Sequence, residues 1–139
     1  MSLYLDTSVL VALFTNDLFS SRAHSFLRTH EAVVIVSDFP AAEFASAVGR
    51  RLRLGKLTHE EAVTVFSTFD AWTARAATRA ETIAADVATA AAYLRRLDVP
   101  LRTPDALNIA IAERVGAELL TFDDKMSAAA RALGAKAHP

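Results

Sequence analysis

The sequence contains no cysteine, so disulfide bonds and thiolate metal sites are excluded. It also lacks an excess of positive charge, since it contains 15 basic and 16 acidic residues and its formal net charge is −1. A protein that holds nucleic acid by bulk electrostatics carries a clear basic excess. Any contact with RNA or DNA must therefore be local.

A long hydrophobic run is missing as well. The longest strongly apolar stretch covers residues 9–14, whereas a membrane-spanning helix needs roughly 18 or more such residues. Asp6 interrupts the apolar start of the chain and the first basic residue is Arg22, so the pattern of a signal peptide is absent. We expect a soluble, cytoplasmic protein that has no membrane partner.

The residues that are present can build a core. At 139 residues, of which 53% are hydrophobic, the chain is expected to form one domain, residues 1–139, without disulfide or metal staples. Hydrophobic patterning predicts strands at residues 3–5, 32–36 and 118–122, with weaker ones at 99–101 and in the tail 135–139. The predicted helices cover residues 9–14, 17–30, 41–54, 59–76, 79–97, 103–115 and a short segment ending at 134.

This alternation predicts an α/β fold with three layers, in which helices flank a mainly parallel sheet of four to five strands. Two matches to the helix-capping pattern, Thr58 with Glu61 and Thr78 with Glu81, predict the start of the helices 59–76 and 79–97. The middle of the chain is therefore expected to be a helical hairpin.

Four acids occupy junctions between these elements. Asp6 and Asp123 follow predicted strands, Glu43 is expected in the first turn of a helix, and Asp105 is expected two residues after a Thr103 cap. In open α/β sheets such junctions lie along the edge that binds ligands. The four carboxylates are therefore expected to meet there.

A cluster of carboxylates requires a cation, since two like charges about 4 Å apart cost about 4 kcal/mol at an effective dielectric of about 20. Ligands that are all oxygen atoms favour Mg²⁺, or alternatively Mn²⁺, over zinc. Such an ion can polarise a phosphoryl oxygen and activate a water for attack. The pattern thus indicates a metal-dependent enzyme that hydrolyses phosphate esters.

Each acid also has a purely structural interpretation. Asp6 can cap a helix, Glu43 and Asp105 can complement a helix dipole, and Asp123 can be a turn residue beside Asp124. Only their joint placement favours a site. Four polar neighbours could support the ligands by hydrogen bonding, and these are Thr7, Ser8, Asn108 and Thr121.

Two basic clusters are candidates for RNA binding. One follows Glu43 and contains Arg50, Arg51, Arg53 and Lys56, and the other precedes Asp105 and contains Arg95, Arg96 and Arg102. Charge runs are usually solvated helix faces. If either cluster borders the acidic edge, it can neutralise substrate phosphates.

Four segments together resemble a PIN domain of the VapC toxin type. They are L-D-T-S-V-L-V-A-L at the start, S-D-F-P-A-A-E-F-A-S-A-V around Glu43, T-P-D-A-L-N-I-A-I-A at Asp105 and L-L-T-F-D at Asp123. Their order and spacing match over the full chain, while the helices from about 56 to 98 carry no such signal. Asp124 beside Asp123 departs from the pattern and leaves the fourth ligand open, and the A-K-A-H-P tail is less apolar than the usual last strand.

The resemblance implies a Mg²⁺-dependent endoribonuclease with Asp6, Glu43, Asp105 and Asp123 as its catalytic, metal-binding acids. It also implies a homodimer, held inactive by a VapB-like antitoxin, that cuts structured RNA. Two alternatives stay open at this point. One is a catalytically idle binding module with the same fold, and the other is a metal-dependent DNase.

Overall fold

The computed structural model describes all residues, 1–139. Along the chain the elements are β1 (Ser2–Leu5), α1 (Thr7–Phe14), α2 (Ser20–Thr29), β2 (Val33–Ser37), α3 (Asp38–Arg53), α4 (His59–Ala76), β3 (Ala77–Ala80), α5 (Ala84–Arg95), α6 (Thr103–Arg114), β4 (Glu118–Leu120), α7 (Asp124–Ala132) and β5 (Ala137–His138).

The five strands form one sheet in the order β3-β2-β1-β4-β5, and every neighbouring pair is parallel. Strand β1 lies at the centre, with Tyr4 opposite Ile35 of β2 and Leu5 opposite Leu120 of β4. Parallel pairing brings the carboxyl ends of all strands to the same edge of the sheet. The predicted α/β class and mainly parallel sheet are confirmed.

Alternating side chains of the central strand face two separate cores. Leu3 and Leu5 pack with buried residues of α1, α3 and α4, among them Val9 and Phe44. Tyr4 points to the other face, where α5, α6 and α7 cover the sheet. Because apolar residues lie on both faces of β1, helices must cover both sides of the sheet. The predicted three-layer arrangement follows from this pattern.

The predicted helical hairpin is wrong, because an edge strand separates α4 from α5. Residues 77–80 pair in parallel with β2, from Val34 opposite Ala77 to Ser37 opposite Ala80. The capping pattern at Thr58 is real, since its hydroxyl accepts from the Glu61 N–H. The pattern at Thr78 is fortuitous, and α5 begins only at Ala84, where the Ile83 N–H donates to the Asp86 carboxylate at 2.9 Å.

The weak strand predicted at residues 99–101 is also absent. Pro100 has no N–H to contribute to a sheet, and Val99 and Leu101 instead pack, partly buried, against the core beneath α5 and α6. The weak strand predicted in the tail is present as β5. None of the helices combines the length and the hydropathy needed to cross a membrane.

Candidate active site

Asp6 lies at the centre of the sheet edge, directly after β1, and is only 4% exposed. Its Oδ1 caps α1 by accepting from the Val9 N–H at 3.1 Å and also accepts from the Ser8 hydroxyl at 2.6 Å. Its Oδ2 accepts from the Thr121 hydroxyl at 2.6 Å. Both the structural role as a helix cap and the placement at the ligand-binding edge are therefore observed.

The environment of Asp6 raises its pKa to about 6. Burial is the main cause, since it disfavours the charged carboxylate, and the charge of Asp123 adds to the shift. The hydrogen bonds from Ser8, Thr121 and the Val9 N–H act in the opposite direction. The buried carboxylate is thus poorly compensated by the protein alone, and a cation beside it would stabilise its charged form.

Two hydroxyls join Asp6 to the end of β4. The Ser8 oxygen accepts from the Phe122 N–H at 2.9 Å, and the Thr121 oxygen accepts from the Asp123 N–H at 3.0 Å. Because each oxygen is occupied by a backbone donor, each hydroxyl proton is directed at Asp6. The predicted supporting positions Ser8 and Thr121 therefore contact the acid directly.

Asp123 caps α7, where its Oδ1 accepts from the N–H groups of Lys125 and Met126 at 2.9 and 3.1 Å. Its Oδ2 makes no hydrogen bond within the protein and is free to accept a ligand. Asp124 lies in the first turn of α7, is exposed, and does not join the network around Asp6. Of the two neighbouring acids, Asp123 is the one that is joined to Thr121 and lines the cleft beside Asp105.

Glu43 lies one helical turn deeper than predicted, because α3 begins at Asp38 and places Glu43 in its second turn. Its Oε1 accepts from the Thr7 hydroxyl at 2.8 Å and from the Asn108 amide at 3.1 Å. Thr7 and Asn108, both predicted as neighbours of the acids, thus hold Glu43. These two hydrogen bonds connect Glu43 to α1 and α6.

Asn108 is itself fully satisfied. It is 3% exposed, its Oδ1 accepts from the Tyr4 hydroxyl at 2.8 Å, and its amide also donates to the Pro104 carbonyl at 3.0 Å. The contribution of Tyr4 could not be predicted from the sequence, because a tyrosine inside a central strand is ordinarily a core residue. The Tyr4–Asn108 pair fixes the orientation of the amide toward Glu43.

Asp105 lies in the first turn of α6, as predicted, although the residue that caps α6 is Arg102 and not Thr103. The Arg102 Nε lies 3.4 Å from Asp105 Oδ2. Asp105 and Asp123 face a common open cleft of about 980 Å³, which Arg102 and Lys125 also line. Asp98 lines the cleft as well, so the cleft presents three acids and two cations. Lys125 was missed, although it directly follows the acidic pair of residues 123 and 124.

The four acids do not form a preformed cage. No three acidic or histidine side chains are grouped closely enough to hold a metal ion. The structure instead brings together two pairs: Asp123 acts electrostatically on Asp6, and Asp105 shares the cleft with Asp123. Glu43 joins them only through Thr7 and Asn108.

These donors nevertheless fit a hard divalent cation. Mg²⁺ is usually held by one or two carboxylates, with water and substrate phosphate completing its six positions. The available ligands are all carboxylate oxygens. Those of Asp6 are buried and hydrogen-bonded, whereas one oxygen each of Glu43, Asp105 and Asp123 accepts no hydrogen bond within the protein. Ligation by Asp6, Glu43, Asp105 and Asp123 stays a prediction.

The arginines at the end of α3 are placed less favourably than expected. Arg51 is engaged with Asp17 at 3.0 Å, and donates to the Asn16 carbonyl, so its guanidinium fixes the turn before α2. Arg50 and Arg53 are exposed, but lie roughly 10–15 Å further along the helix axis than Glu43. Among the predicted RNA-binding residues, only Arg102 borders the acidic cleft.

Comparison with known proteins identifies the family. Residues 3–132 match the model of the PIN domain, and the chain belongs to that family. No match was found among curated protein sequences.

Several solved structures share the fold. VapC20 of Mycobacterium tuberculosis, described as a sarcin–ricin loop cleaving toxin, is similar with a TM-score of 0.74 and 24% identity over 92% of this chain and 95% of the other. VapBC2 of Rickettsia felis, bound to a promoter DNA fragment, gives a TM-score of 0.71 and 16% identity over 99% and 98%. A toxin–antitoxin complex of Klebsiella pneumoniae gives 0.63 and 20% over 92% and 91%. At these identities the likeness establishes the fold alone.

Proposed function

We propose that this chain, acting as a single PIN-like domain, is a Mg²⁺-dependent endoribonuclease and the toxin component of a VapBC-type toxin–antitoxin system. The observation that carries this proposal is the network at the sheet edge. A buried aspartate, Asp6, is joined through Thr121 to Asp123, which faces an open cleft together with Asp105. This arrangement suits the binding of a cation and of a phosphodiester side by side.

The family supports the proposal, and so do structural neighbours, which include VapC20, described as cleaving the sarcin–ricin loop, a VapBC complex and a toxin–antitoxin complex. By analogy with those complexes, we propose a VapB-like antitoxin as the partner that covers the acidic cleft. A homodimer and a cytoplasmic location belong to the same proposal.

Asp6, Asp105 and Asp123, together with Glu43 from α3, are the residues that would hold Mg²⁺. When bound, the ion supplies a polarised phosphoryl oxygen and an activated water for hydrolysis. Asp6 must be ionised to contribute, and with its pKa at about 6 it is largely charged at neutral pH. Mn²⁺ has the same preference for oxygen ligands and could replace Mg²⁺.

The cations of the cleft would position the substrate. Arg102 is 77% exposed, so its guanidinium can leave Asp105 and bind a phosphate when RNA enters. Lys125 lies on the α7 side of the same cleft. The two cations can thus hold the strand on either side of the bond that is cut.

The test is cleavage of RNA by the purified protein. We expect cleavage with Mg²⁺, none with EDTA, and a loss of at least 100-fold in Asp6→Asn and Asp105→Asn, with circular dichroism spectra unchanged. Asp70→Asn is the matched control, because this aspartate is exposed on α4 and lies outside the cleft. Full cleavage by both active-site variants would overturn the proposal.

Assays on the same purified protein distinguish the two alternative functions, a metal-dependent DNase and a catalytically idle binding module. A metal-dependent DNase would cut single-stranded DNA in preference to RNA of the same sequence, since the sequence does not show whether a 2′-hydroxyl is read. An idle binding module would cut neither and would not respond to Mg²⁺. The burial of Asp6 argues against the idle module, because an uncharged Asn or Ser could cap α1 in its place without burying a charge.

A further inference from the structure

A small cavity next to the acidic site has the chemistry of a nucleobase pocket. Its volume is about 220 Å³, and it is lined by Arg22, Ser25, Phe26, Thr29, Phe122 and Pro139. Two aromatic rings, two hydroxyls and one guanidinium therefore line one shallow depression that is open to solvent. No acidic side chain lines it.

Each of the two aromatic rings of the cavity stacks on a further ring that does not line it. Phe122 stacks on Phe19 with a centroid distance of 5.0 Å and an angle of 6° between the rings. Phe19 does not line the cavity, so it supports the Phe122 ring from outside it. Phe26 is backed in the same way by His30, at a centroid distance of 3.9 Å. Preordered aromatic rings are the surfaces on which unpaired bases stack.

Arg22 adds positive charge at the same place. Its guanidinium carbon lies 5.4 Å from the centroid of Phe122 and 5.7 Å from that of Phe19. The side chain is exposed and takes part in none of the ion pairs of the chain. A guanidinium that no carboxylate neutralises is available for a phosphate or for stacking on a base.

The cavity is linked to the proposed catalytic residues through the backbone around Phe122. Phe122 stands between Thr121, which donates to Asp6, and Asp123, which faces the cleft. Its own N–H donates to Ser8, which also donates to Asp6. The backbone that carries the ring is therefore the backbone that orders the acidic site, and a base held here belongs to a nucleotide near the reacting phosphate.

We infer that Phe122 and Phe26 form a stacking pocket for one unpaired nucleobase of the RNA substrate, with Arg22 binding the adjacent phosphate. This inference rests on the proposed function. It names a positioning subsite on the side of the site formed by α2, away from the cleft lined by Arg102. It also accounts for RNA binding by a chain whose net charge is −1, since the contact is local and largely aromatic.

The test uses the full chain in EDTA, so that binding is measured without cleavage. The probe is a short single-stranded RNA with 2-aminopurine at successive positions, because the fluorescence of this base is quenched when it stacks on an aromatic ring. We expect quenching at one position. Phe122→Leu should abolish this quenching and weaken binding about tenfold, and Phe122→Trp should restore both.

Arg22→Gln is the second variant, and it is chosen because the side chain is exposed and its loss leaves the fold intact. It should weaken binding and lower the slope of log affinity against log salt by about one. Arg28→Gln is the matched control on the same helix, since Arg28 is exposed and does not line the cavity. In cleavage assays with Mg²⁺, the change in Phe122→Leu should fall on KM more than on kcat.

Unchanged quenching and affinity in both Phe122→Leu and Arg22→Gln would overturn the pocket, even if the wild-type protein cleaves RNA. If the wild-type protein binds and quenches the probe but cleaves nothing with Mg²⁺, the proposed nuclease function fails and the pocket stands. If these variants weaken the binding of an antitoxin peptide and leave RNA binding unchanged, the pocket belongs to the protein partner and the inference is wrong.

Discussion

The Thr121 hydroxyl donates to Asp6 across a distance of 2.6 Å while its oxygen accepts from the Asp123 N–H. One side chain thus couples the carboxylate that ends β1 to the residue that begins α7. Thr121 is 1% exposed, so no water can replace these bonds in its absence. The geometry makes Thr121 a positioning residue for two acids at once.

Replacing Thr121 by valine should therefore affect both stability and catalysis. The change keeps the shape but leaves the Asp123 N–H and one Asp6 oxygen without a partner, at a cost of about 1–3 kcal/mol in the free energy of unfolding. Cleavage should fall about 10- to 100-fold, the usual effect of losing a group that orients a metal ligand. Urea unfolding and RNA cleavage measure the two effects.

Thr121→Ser is the matched control, because it keeps the hydroxyl and removes only a methyl group. It should retain most of the cleavage that Thr121→Val loses. Equal activity of the serine and valine variants would contradict the role of the hydroxyl.

The free energy of unfolding should depend on pH in a way that reports the burial of the Asp6 carboxylate. Its pKa is raised from 3.8 to about 6 by burial, so in EDTA the folded protein binds a proton that the unfolded chain releases between these values. The contribution of Asp6 is fully present below about pH 4 and is lost as the pH rises through 6, by at most about 3 kcal/mol. Asp6→Asn does not titrate and should lack this component.

The measurement is the difference in unfolding free energy between Asp6→Asn and the wild-type protein, each in EDTA. We expect this difference to become more favourable to the variant between pH 4.5 and pH 8. Using the difference removes the opposite pH dependence of Asp38 and Asp86, in which hydrogen bonds outweigh burial and lower the pKa. A difference that is flat with pH would show that Asp6 is not desolvated.

Most of the fold could be predicted from the sequence, because the patterns that indicate its strands and helices are local. Continuous apolar strands and the acids that follow them predicted the parallel sheet and the edge on which Asp6, Asp105 and Asp123 lie. The strand at residues 77–80 was not predicted, because β3 lies at the edge of the sheet and its sequence does not show the apolar alternation typical of a strand. There Thr78 and Glu81 matched a capping pattern by chance, and only pairing with β2 decides the conformation.

The sequence predicted four acids as the candidate site, and their role there stays a prediction, but it did not predict the contacts that their side chains make. Strand ends and helix starts place Asp6, Glu43, Asp105 and Asp123 at one edge, yet the spacing between side chains depends on contacts far apart in the chain. The bonds from Asn108 to Glu43 and from Thr121 to Asp6 join residues 65 and 115 positions apart. Local patterns carry no information about such pairs.

The buried pair of Tyr4 and Asn108 should contribute to stability beyond its packing. Asn108→Ala leaves the Tyr4 hydroxyl without its acceptor and removes one of the two hydrogen bonds to Glu43 Oε1, and we expect it to lower the free energy of unfolding by about 2–4 kcal/mol. Tyr4→Phe removes only the hydroxyl and should cost about 1 kcal/mol. Urea unfolding of the single variants and the double variant gives the coupling energy.

In that cycle the double variant should be more stable than the sum of the single changes predicts, because removing both partners leaves fewer unsatisfied groups. Strict additivity would show that the 2.8 Å bond from Tyr4 to Asn108 contributes nothing.

The ion pair of Asp86 and Arg114 should hold α5 to α6. Asp86 is 1% exposed and meets Arg114 at 2.6 and 3.0 Å, and the arginine also donates to the Glu81 carbonyl. Arg114→Met leaves a buried carboxylate without its partner. Since the Arg114 side chain is one third exposed, we expect a loss of about 2–3 kcal/mol, below the range for fully buried pairs.

Arg96→Met provides the control for Arg114→Met in urea unfolding. Arg96 also forms an ion pair, with Asp98 at 2.8 Å, but both side chains are largely exposed. Such surface pairs contribute little, so this variant should unfold close to the wild-type midpoint. Similar losses in both variants would contradict the importance of burial.

The central claim is that the acids at the sheet edge bind a divalent cation, and calorimetric titration of Mg²⁺ into the metal-free protein tests it most directly. We predict saturable binding by the wild-type protein at pH 7.5 and binding that is weakened at least tenfold in Asp6→Asn and Asp105→Asn, with Asp70→Asn unchanged. Absence of saturable binding in the wild-type protein, or equal binding by all four proteins, would contradict the claim.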